Sequence, residues 1–384
     1  MQEPQGLRNR GYAHKDVDDR RKAVEEFSNV SLESISKYCF SSEGASKNIE
    51  NMIGATQVPL GFAGPVTING NSAKGEFIVP LATTEGALVA SISRGMSAIN
   101  LAGGATAKVF SDGMTRAPVF KVEDLNHMEM TINWIKSNFE SISDVAKRTT
   151  NHGRLASIEP YFSGRNLFLR FVYSTGDAMG MNMVTIATEA ACNLIERETG
   201  AILVSISGNM CSDKKPAAIN MISGRGKMVA AEAIIPLDVV KGKLKTDVDS
   251  IVETNYRKNL IGSSMALTMG ANAHAANMVA ALFLATGQDI AQVVGGSMAM
   301  TTCENYDGDL YISIKMPVTE VGTVGGGTRL PCQSEALRIM DCLGEGRSSK
   351  LSEIVAVTVL AGELSTLSAQ AAGHLGKAHE ELGR

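Results

Sequence analysis

The chain has 384 residues, a formal net charge of -4 with both signs interspersed, and only 5% aromatic residues. That length exceeds one ordinary domain and predicts two or more structural units around a sizeable core. Balanced charge and scarce aromatics offer neither a basic footprint nor a stacking surface, so nucleic acid is not expected as a partner.

The N-terminus is polar and charged, without the apolar run of a signal peptide. Residues 1–50 read as a helical N-terminal region, with "DVDDRRKAVEEFSNVSLESISKYC" as its best helix. The six cysteines, Cys39, Cys192, Cys211, Cys303, Cys332 and Cys342, are scattered, with no CxxC pair and no metal-ligand spacing. They read as buried thiols in a reducing compartment, which points to the cytoplasm and to no bound metal.

From residue 51 the texture turns rich in Gly and Pro, a strand-and-turn pattern. "LATTEGALVASISRGMSAINLAGG" then predicts a helix, capped at Thr83 or Thr84 and stopped by Gly103-Gly104. Residues 118–207 read as strand (119–122), long helix (125–147), two strands (155–161, 166–174), helix (179–198) and strand (202–206). This βαββαβ order is the split βαβ, ferredoxin-like unit. Its ends are neighbours in the sheet, so it can be inserted into a larger domain.

The next stretch, "SISGNMCSDKKPAAINMISGRG", sets Asp213-Lys214-Lys215 between Gly208 and Pro216. A solvated charge cluster is one reading. An apolar run before it and a nearly uncharged one after it predict instead that the loop enters the protein, where ammonium groups need partners. A strand ending in "VAAEAIIP" follows. From 259 to 288 there is no charged residue, a length that could span a bilayer. Ser263, Ser264, Asn272, His274 and Asn277 would then lie near the midplane, so the segment reads as a packed core helix. A sheet region, "DLYISIKMPVTEVGTVGGGT", and a final helical stretch from 351 complete the chain, with no internal repeat.

Several of these segments could carry chemistry. "TGDAMGMNMVTIATEA" opens a helix with Gly and Asp, either a phosphate site at a helix N-terminus or a plain turn. There is no GxGxxG after a strand. "GTVGGGT" allows backbone to approach a ligand, or only a tight turn. Glu85 and Asp289 stand among small uncharged neighbours, as surface helix charges or as partners of Lys214 or Lys258. His374 and His379 are five apart, about 140° around a helix, so at most one faces a given site.

Taken in order, "ENMIG", "ATTEGALVAS.SRG", "DGMTR.P", "GRNL..RF", "GDAMGMNM", "SGN.C.DKKPAAIN...GRGK", "NAHAAN", "GQD.AQ", "GTVGGGT" and "LAGELS..SA.AAGHL.K.H" closely resemble the class I 3-hydroxy-3-methylglutaryl-CoA (HMG-CoA) reductases, from about residue 48 onward. The resemblance implies an α+β fold with four parts: a helical region (1–50), a large α/β substrate domain with a central helix (51–117 and 207–361), an inserted ferredoxin-like NADP(H) domain (118–206), and a mobile C-terminal helical flap (362–384). It also implies reduction of HMG-CoA to mevalonate and CoA by two NADPH, through a hemithioacetal and mevaldehyde. The implied partner is a second copy, in a dimer or a tetramer, sharing the active site.

By the same resemblance Lys214 stabilises the oxyanion, Glu85 gives a proton to the mevaldehyde oxygen, Asp289 links the two, and His379 protonates the departing CoA thiolate. Arg116, Ser207, Asp213 and Lys215 match residues holding the substrate's carboxylate and hydroxyl end, and Lys258 and Asn277 match others of that polar network. Ser91 and Arg94 match positions near CoA. Asp177, Met179, Gly180, Met181 and Asn182 match the dinucleotide motif, and Gly325 and Gly326 its glycine loop.

Two departures stand out. Where NADPH-selective members often carry Ser-Arg-Phe, this chain reads "RTTNHGR", leaving Arg148, His152 and Arg154 to meet a 2'-phosphate. The chain also ends before the serine through which some animal and plant members are regulated. It carries no membrane anchor, so the expectation is a soluble enzyme or the catalytic part of an anchored one. NAD-dependent mevalonate oxidation and a non-catalytic acyl-CoA-binding homologue are the alternatives.

Overall fold

The computed structural model describes residues 11–150 and 152–373. Helix α1 (His14–Ser28) ends at Asn29, whose backbone is left-handed (φ 54°). The expected extension of this helix does not form, and residues 30–50 make turns. Polar side chains compete with the helix there: Glu25 Oε1 takes the Leu32 N-H at 2.7 Å, and Ser36 Oγ donates to Glu33 O at 2.6 Å.

The hairpin β1 (Leu60–Asn69) and β2 (Lys74–Ala82) leads to α2 (Leu88–Leu101), β3 (Thr106–Arg116) and β4 (Val119–Lys121). Then come α3 (Leu125–Ser137), α4 (Phe139–Lys147), β5 (Arg154–Ser163), β6 (Asn166–Ser174), α5 (Met181–Thr199) and β7 (Ile202–Ser205). The single long helix expected here is thus two. Asp124 caps α3, accepting from His127 N at 2.8 Å, and the helix breaks at Asn138, whose side-chain amide donates to Trp134 O at 2.9 Å. The remaining elements are α6 (Ala218–Ser223), β8 (Arg225–Ile235), α7 (Leu237–Val239), α8 (Val248–Thr254), α9 (Ser263–Ala266), α10 (Ala275–Thr286), α11 (Val293–Gly296), β9 (Met300–Tyr306), β10 (Asp309–Thr319), α12 (Pro331–Ile339) and α13 (Ser348–Ala371).

The charge-free stretch 259–288 is not one core helix. It begins in a π-wound segment (Asn255–Gly262), passes through α9, reverses at Leu267 (φ 56°), and resumes only at α10. Asn272 makes the break: its amide donates to Ser297 O and Ala299 O, each at 2.9 Å, while its Oδ1 caps α10 through Ala275 N at 3.0 Å. The polar groups that argued against a membrane span also end the helix.

The central helix is α13, buried along almost its whole length and packed on α2, α8, α10, β3, β8 and β10. It is long and apolar enough to cross a bilayer, yet 83% of its most apolar window is buried inside the fold. Each of its fully buried Leu, Ile and Val side chains contributes roughly 1.5–3 kcal/mol. Gly95 permits the crossing of α2 over it, because a Cβ there would lie 1.9 Å from Ala361 O. Since α13 continues to Ala371 with residues 362–365 buried, a flap does not begin at 362.

Two antiparallel sheets meet along β3. One runs β3-β8-β10-β9 over the larger apolar core. The other runs β7-β4-β6-β5 over a second core made by α3, α4 and α5. The end of β3 (Met114–Arg116) and then β4 pair with one edge of β6, so Arg116 sits on the seam between the sheets.

Candidate active site

The loop after β7 returns to this seam, where Gly208 N donates to Ala117 O at 2.6 Å. Three non-glycine residues in the loop are left-handed: Asn209 (φ 65°), Ser212 (φ 50°) and Lys214 (φ 58°). Such residues cost roughly 1–2 kcal/mol each, and backbone held this way clusters where a side chain must be aimed. Cys211 and Ser212 are buried and Asp213 is half-buried, but Lys214 and Lys215 are exposed. Only the base of the loop enters the protein, contrary to the expectation for the lysines; their ammonium groups keep access to water, which spares a large desolvation cost.

Lys214 Nζ lies 2.8 Å from Asp289 Oδ2, with 43% and 31% of the two side chains exposed. Asp289 follows α10 after the left-handed Gly287, and its other oxygen takes the Ala291 N-H at 3.1 Å. Lys215 Nζ donates to Asp213 O at 3.2 Å. The Asp213 carboxylate accepts from Gln292 Nε2 at 3.0 Å and faces Arg225 Nη1 at 3.2 Å. Burial raises the Asp213 pKa, but Arg225, the Gln292 hydrogen bond and Lys214 outweigh it and hold the carboxyl below its ordinary range.

Arg225, only 1% exposed, was not singled out from the sequence. Its Nε donates to Thr115 Oγ1 at 3.1 Å, Nη2 lies 2.8 Å from Met181 Sδ, and Nη1 is also ion-paired with the buried Glu320. It therefore joins the loop after β7 to the start of α5. A lone arginine between glycines ("SGRGK") was the available signal. Beside it, Arg116 donates through Nε and Nη2 to Thr185 Oγ1 at 3.1 and 2.8 Å, and Ser207 Oγ lies 3.6 Å from Cys211 Sγ.

A second polar cluster surrounds Glu85. This exposed carboxylate precedes α2, beside the left-handed Ala87 (φ 67°), and accepts from Asn277 Nδ2 at 3.2 Å. The same amide reaches His274 Nδ1 at 3.3 Å, and His274 Nε2 lies between Thr366 Oγ1 (2.6 Å) and Gly362 O (3.1 Å) of α13. His274 was another residue missed as part of the site. Lys258, in the π-wound segment, donates to Asn259 Oδ1 at 3.0 Å; burial lowers its pKa while Glu363 opposes that shift. Among the described residues, no hydrogen bond or ion pair joins Glu85 to Asp289, Lys214 or Lys258. Ser91 Oγ and Arg94 Nε both meet Ser365 Oγ on α13, at 2.9 and 3.0 Å.

A cleft of about 690 Å³ opens at the N-terminus of α5. Met179, Gly180, Met181, Asn182, Gly325 and Gly326 line it, as do Asp289 and, from the N-terminal segment, Lys47 and Asn48. Unpaired N-H groups and the positive dipole end of a 19-residue helix suit a phosphate. Gly322 lets the wall close up, because a Cβ there would come 2.8 Å from Met179 N. The volume and donor set fit a dinucleotide. Exposed His152 and Arg154 flank Gly153, which packs on Met183 of the same cleft, and exposed Arg148 stands at the end of α4.

Asp177 stands beside Ala178 and Met179 of the cleft wall, and its carboxylate is turned to α13. It accepts from Gly346 N (2.6 Å), Arg347 N (3.0 Å) and Ser348 N (3.0 Å), clamping the start of α13. Burial raises its pKa, but these bonds outweigh that and leave it lowered. His379 and His374 lie outside the described residues.

Residues 16–384 match the family model described as hydroxymethylglutaryl-coenzyme A reductase. The chain is 55% identical over 381 residues to 3-hydroxy-3-methylglutaryl-coenzyme A reductase of Haloferax volcanii, covering 97% of this chain and 94% of that one. Identity to the protein of the same name from Methanocaldococcus jannaschii is 54% over 372 residues, covering 95% and 92%. Among solved structures, it is similar to the class II 3-hydroxy-3-methylglutaryl-CoA reductase from Streptococcus pneumoniae bound to NADPH in open conformations, with a TM-score of 0.70 at 18% identity, covering 92% and 86%.

Proposed function

The chain belongs to the hydroxymethylglutaryl-coenzyme A reductase family, and from that premise we propose how its side chains divide the work. It reduces HMG-CoA to mevalonate and CoA. Turning a thioester into a primary alcohol takes two hydrides, which NADPH supplies when bound. The first gives a hemithioacetal that collapses to mevaldehyde and CoA thiolate; the second gives the alcohol.

The observation that carries this reading is the Lys214–Asp289 pair, 2.8 Å apart, with Asp289 on the wall of the dinucleotide cleft. An ammonium placed there stabilises each developing oxyanion more than the ground-state carbonyl, and Asp289 aims it. Arg116, Ser207, Asp213 and Lys215 hold the carboxylate and hydroxyl end of the substrate. Glu85, oriented by Asn277, gives a proton to the aldehyde oxygen, and Lys258 completes that network. His379 protonates the departing thiolate, and Ser91 and Arg94 turn toward CoA. Met179–Asn182 and Gly325–Gly326 receive the dinucleotide, with Arg148, His152 or Arg154 for its 2'-phosphate. Asp177 fixes the cofactor loop through α13.

Among the described residues no hydrogen bond or ion pair joins the two clusters, which supports a site completed by a second copy, Glu85, Asn277 and Lys258 of one facing Lys214 and Asp289 of the other. Exposed Tyr256, Met265 and Leu267 near Lys258 supply an apolar surface for that dimer. The β7-β4-β6-β5 unit fits an inserted ferredoxin-like NADP(H) domain of class I type, in an enzyme of the cytoplasm.

The test is loss of reduced-cofactor absorbance with HMG-CoA, run with NADPH and NADH in parallel, beside Lys214→Ala. NADPH-favoured turnover that falls at least about 10²–10³-fold in the variant is expected. Near-normal turnover in Lys214→Ala would remove the lysine from the mechanism. An NADH preference would reassign the coenzyme.

A further inference from the structure

The cysteines were read as buried thiols, but Cys39 and Cys332 are both exposed, and their sulfurs lie 3.3 Å apart across 293 residues of sequence. Packing fixes this approach. Tyr38 and Phe40, which flank Cys39, meet with tilted rings 5.2 Å apart and pack with Leu330 on the small core of Val17, Ala45 and Met52. Cys332 is the second residue of α12, three residues beyond the glycine turn Gly326–Arg329, and Ser334 ties the two through Thr328 O at 2.6 Å. Lys47 and Asn48 of the N-terminal segment face Gly325–Thr328 across the cleft. The two sulfurs thus stand where the N-terminal segment meets the glycine wall, and neither takes part in the chemistry above.

We propose that Cys39 and Cys332 are a disulfide-forming modification site, oxidised by a low-molecular-weight disulfide of the glutathione class, that staples the N-terminal segment to the wall of the dinucleotide cleft. One cysteine thiolate attacks a sulfur of the small disulfide, forming a mixed disulfide and releasing one small thiol. The other attacks the mixed disulfide, closing the Cys39–Cys332 bond and releasing the second. Two electrons pass from the protein to the oxidant, and the two thiol protons leave with the small thiols. The sulfurs need to close by only about 1.3 Å to reach bonding distance. The small core of three buried residues makes the N-terminal segment the part of the cleft wall that such a link would fix most.

The test exposes the reduced full chain to oxidised glutathione, with Cys332→Ser and Cys39→Ser as controls. Non-reducing peptide mass mapping is expected to find one linked peptide pair joining residues 39 and 332 and lacking two hydrogens. The melting temperature should rise by several degrees and the KM for NADPH should fall about 3-fold, both reversed by dithiothreitol and both absent in the variants, because a fixed wall costs less to order on binding. Glutathione adducts or unreacted thiols without a link would overturn the proposal. So would a link that leaves either the melting temperature or the KM unchanged. The KM arm rests on the NADPH reading, whereas the mass and melting arms do not, so a chain without NADPH turnover fails that reading separately.

Discussion

Glu363 and Glu85 are carboxylates of the same neighbourhood with opposite surroundings. Glu363 is fully buried on α13 and accepts from Ala273 N at 2.7 Å, His274 N at 2.8 Å and Thr301 Oγ1 at 2.8 Å. Glu85 is exposed and has one amide partner at 3.2 Å. Glu353 is likewise fully buried, its Oε2 taking the Ser72 and Ala73 N-H groups at 2.9 and 2.6 Å, while the partly exposed Asp289 stands nearer to Glu85, meeting Lys214 and the Ala291 N-H. A buried charge satisfied by fixed donors holds the frame and has little capacity left for a ligand. A charge with one partner and water can exchange the water for substrate.

The sharpest way to break that contrast is to remove one charge of each kind. Glu363→Leu strands two backbone N-H groups and is expected to cost about 3–5 kcal/mol in urea unfolding. Asp289→Asn should stay within about 0.5 kcal/mol of wild type while losing turnover, as expected for a half-exposed pair. Equal stability losses in the two would erase the distinction.

Arg225 belongs to both classes, being buried like Glu363 yet facing Asp213 in the loop after β7. Arg225→Met should lower kcat/KM for HMG-CoA about 10–100-fold, the value of a charged hydrogen bond of about 1.5–3 kcal/mol. Pairing it with Glu320→Met removes the other buried charge and preserves the fold. The pH profile separates the two roles. Arg225 holds the Asp213 carboxyl low against burial, so without it that carboxyl rises and the acid limb of kcat/KM moves to higher pH. An unshifted limb would leave Arg225 a purely structural residue.

A smaller effect is expected at the cleft wall. In Gly322→Ala the new Cβ meets Met179 N at 2.8 Å, which forces backbone apart at a cost of about 1–3 kcal/mol. The KM for NADPH should rise about 10-fold while the KM for HMG-CoA stays within about 2-fold. Equal rises in both would mean that the wall serves the two ligands alike.

Much of the element order was legible because periodic apolar runs and turn residues act locally, as the strands at 166–174 and 202–205 show. What escaped was decided by distant partners. The break inside 259–288 depends on carbonyls of residues 297 and 299 accepting from Asn272. Arg225 acquires its meaning from residues 115, 181, 213 and 320, and Cys39 from Cys332. Lys214 and Asp289 stood out by the quietness of their neighbours, a local signal, and the fold brings them together.

Asp177 makes the finest test of the contrast. Its motif suggested contact with the cofactor, but its carboxylate caps the first turn of α13, which puts it on the frame side. Asp177→Asn keeps an acceptor and loses the charge, so the expected loss at pH 7 is about 0.3–1 kcal/mol, the value of a charge at a helix N-terminus. The sign follows from a folded pKa below the unfolded value of about 3.9. The wild-type advantage is present above that value and disappears as pH falls through the folded pKa, so the difference between the two proteins should shrink as the pH is lowered. Unfolding in urea at pH 7 and pH 3 measures this, and the KM for NADPH should stay within about 2-fold of wild type. A KM raised 10-fold at unchanged stability would instead return Asp177 to the cofactor.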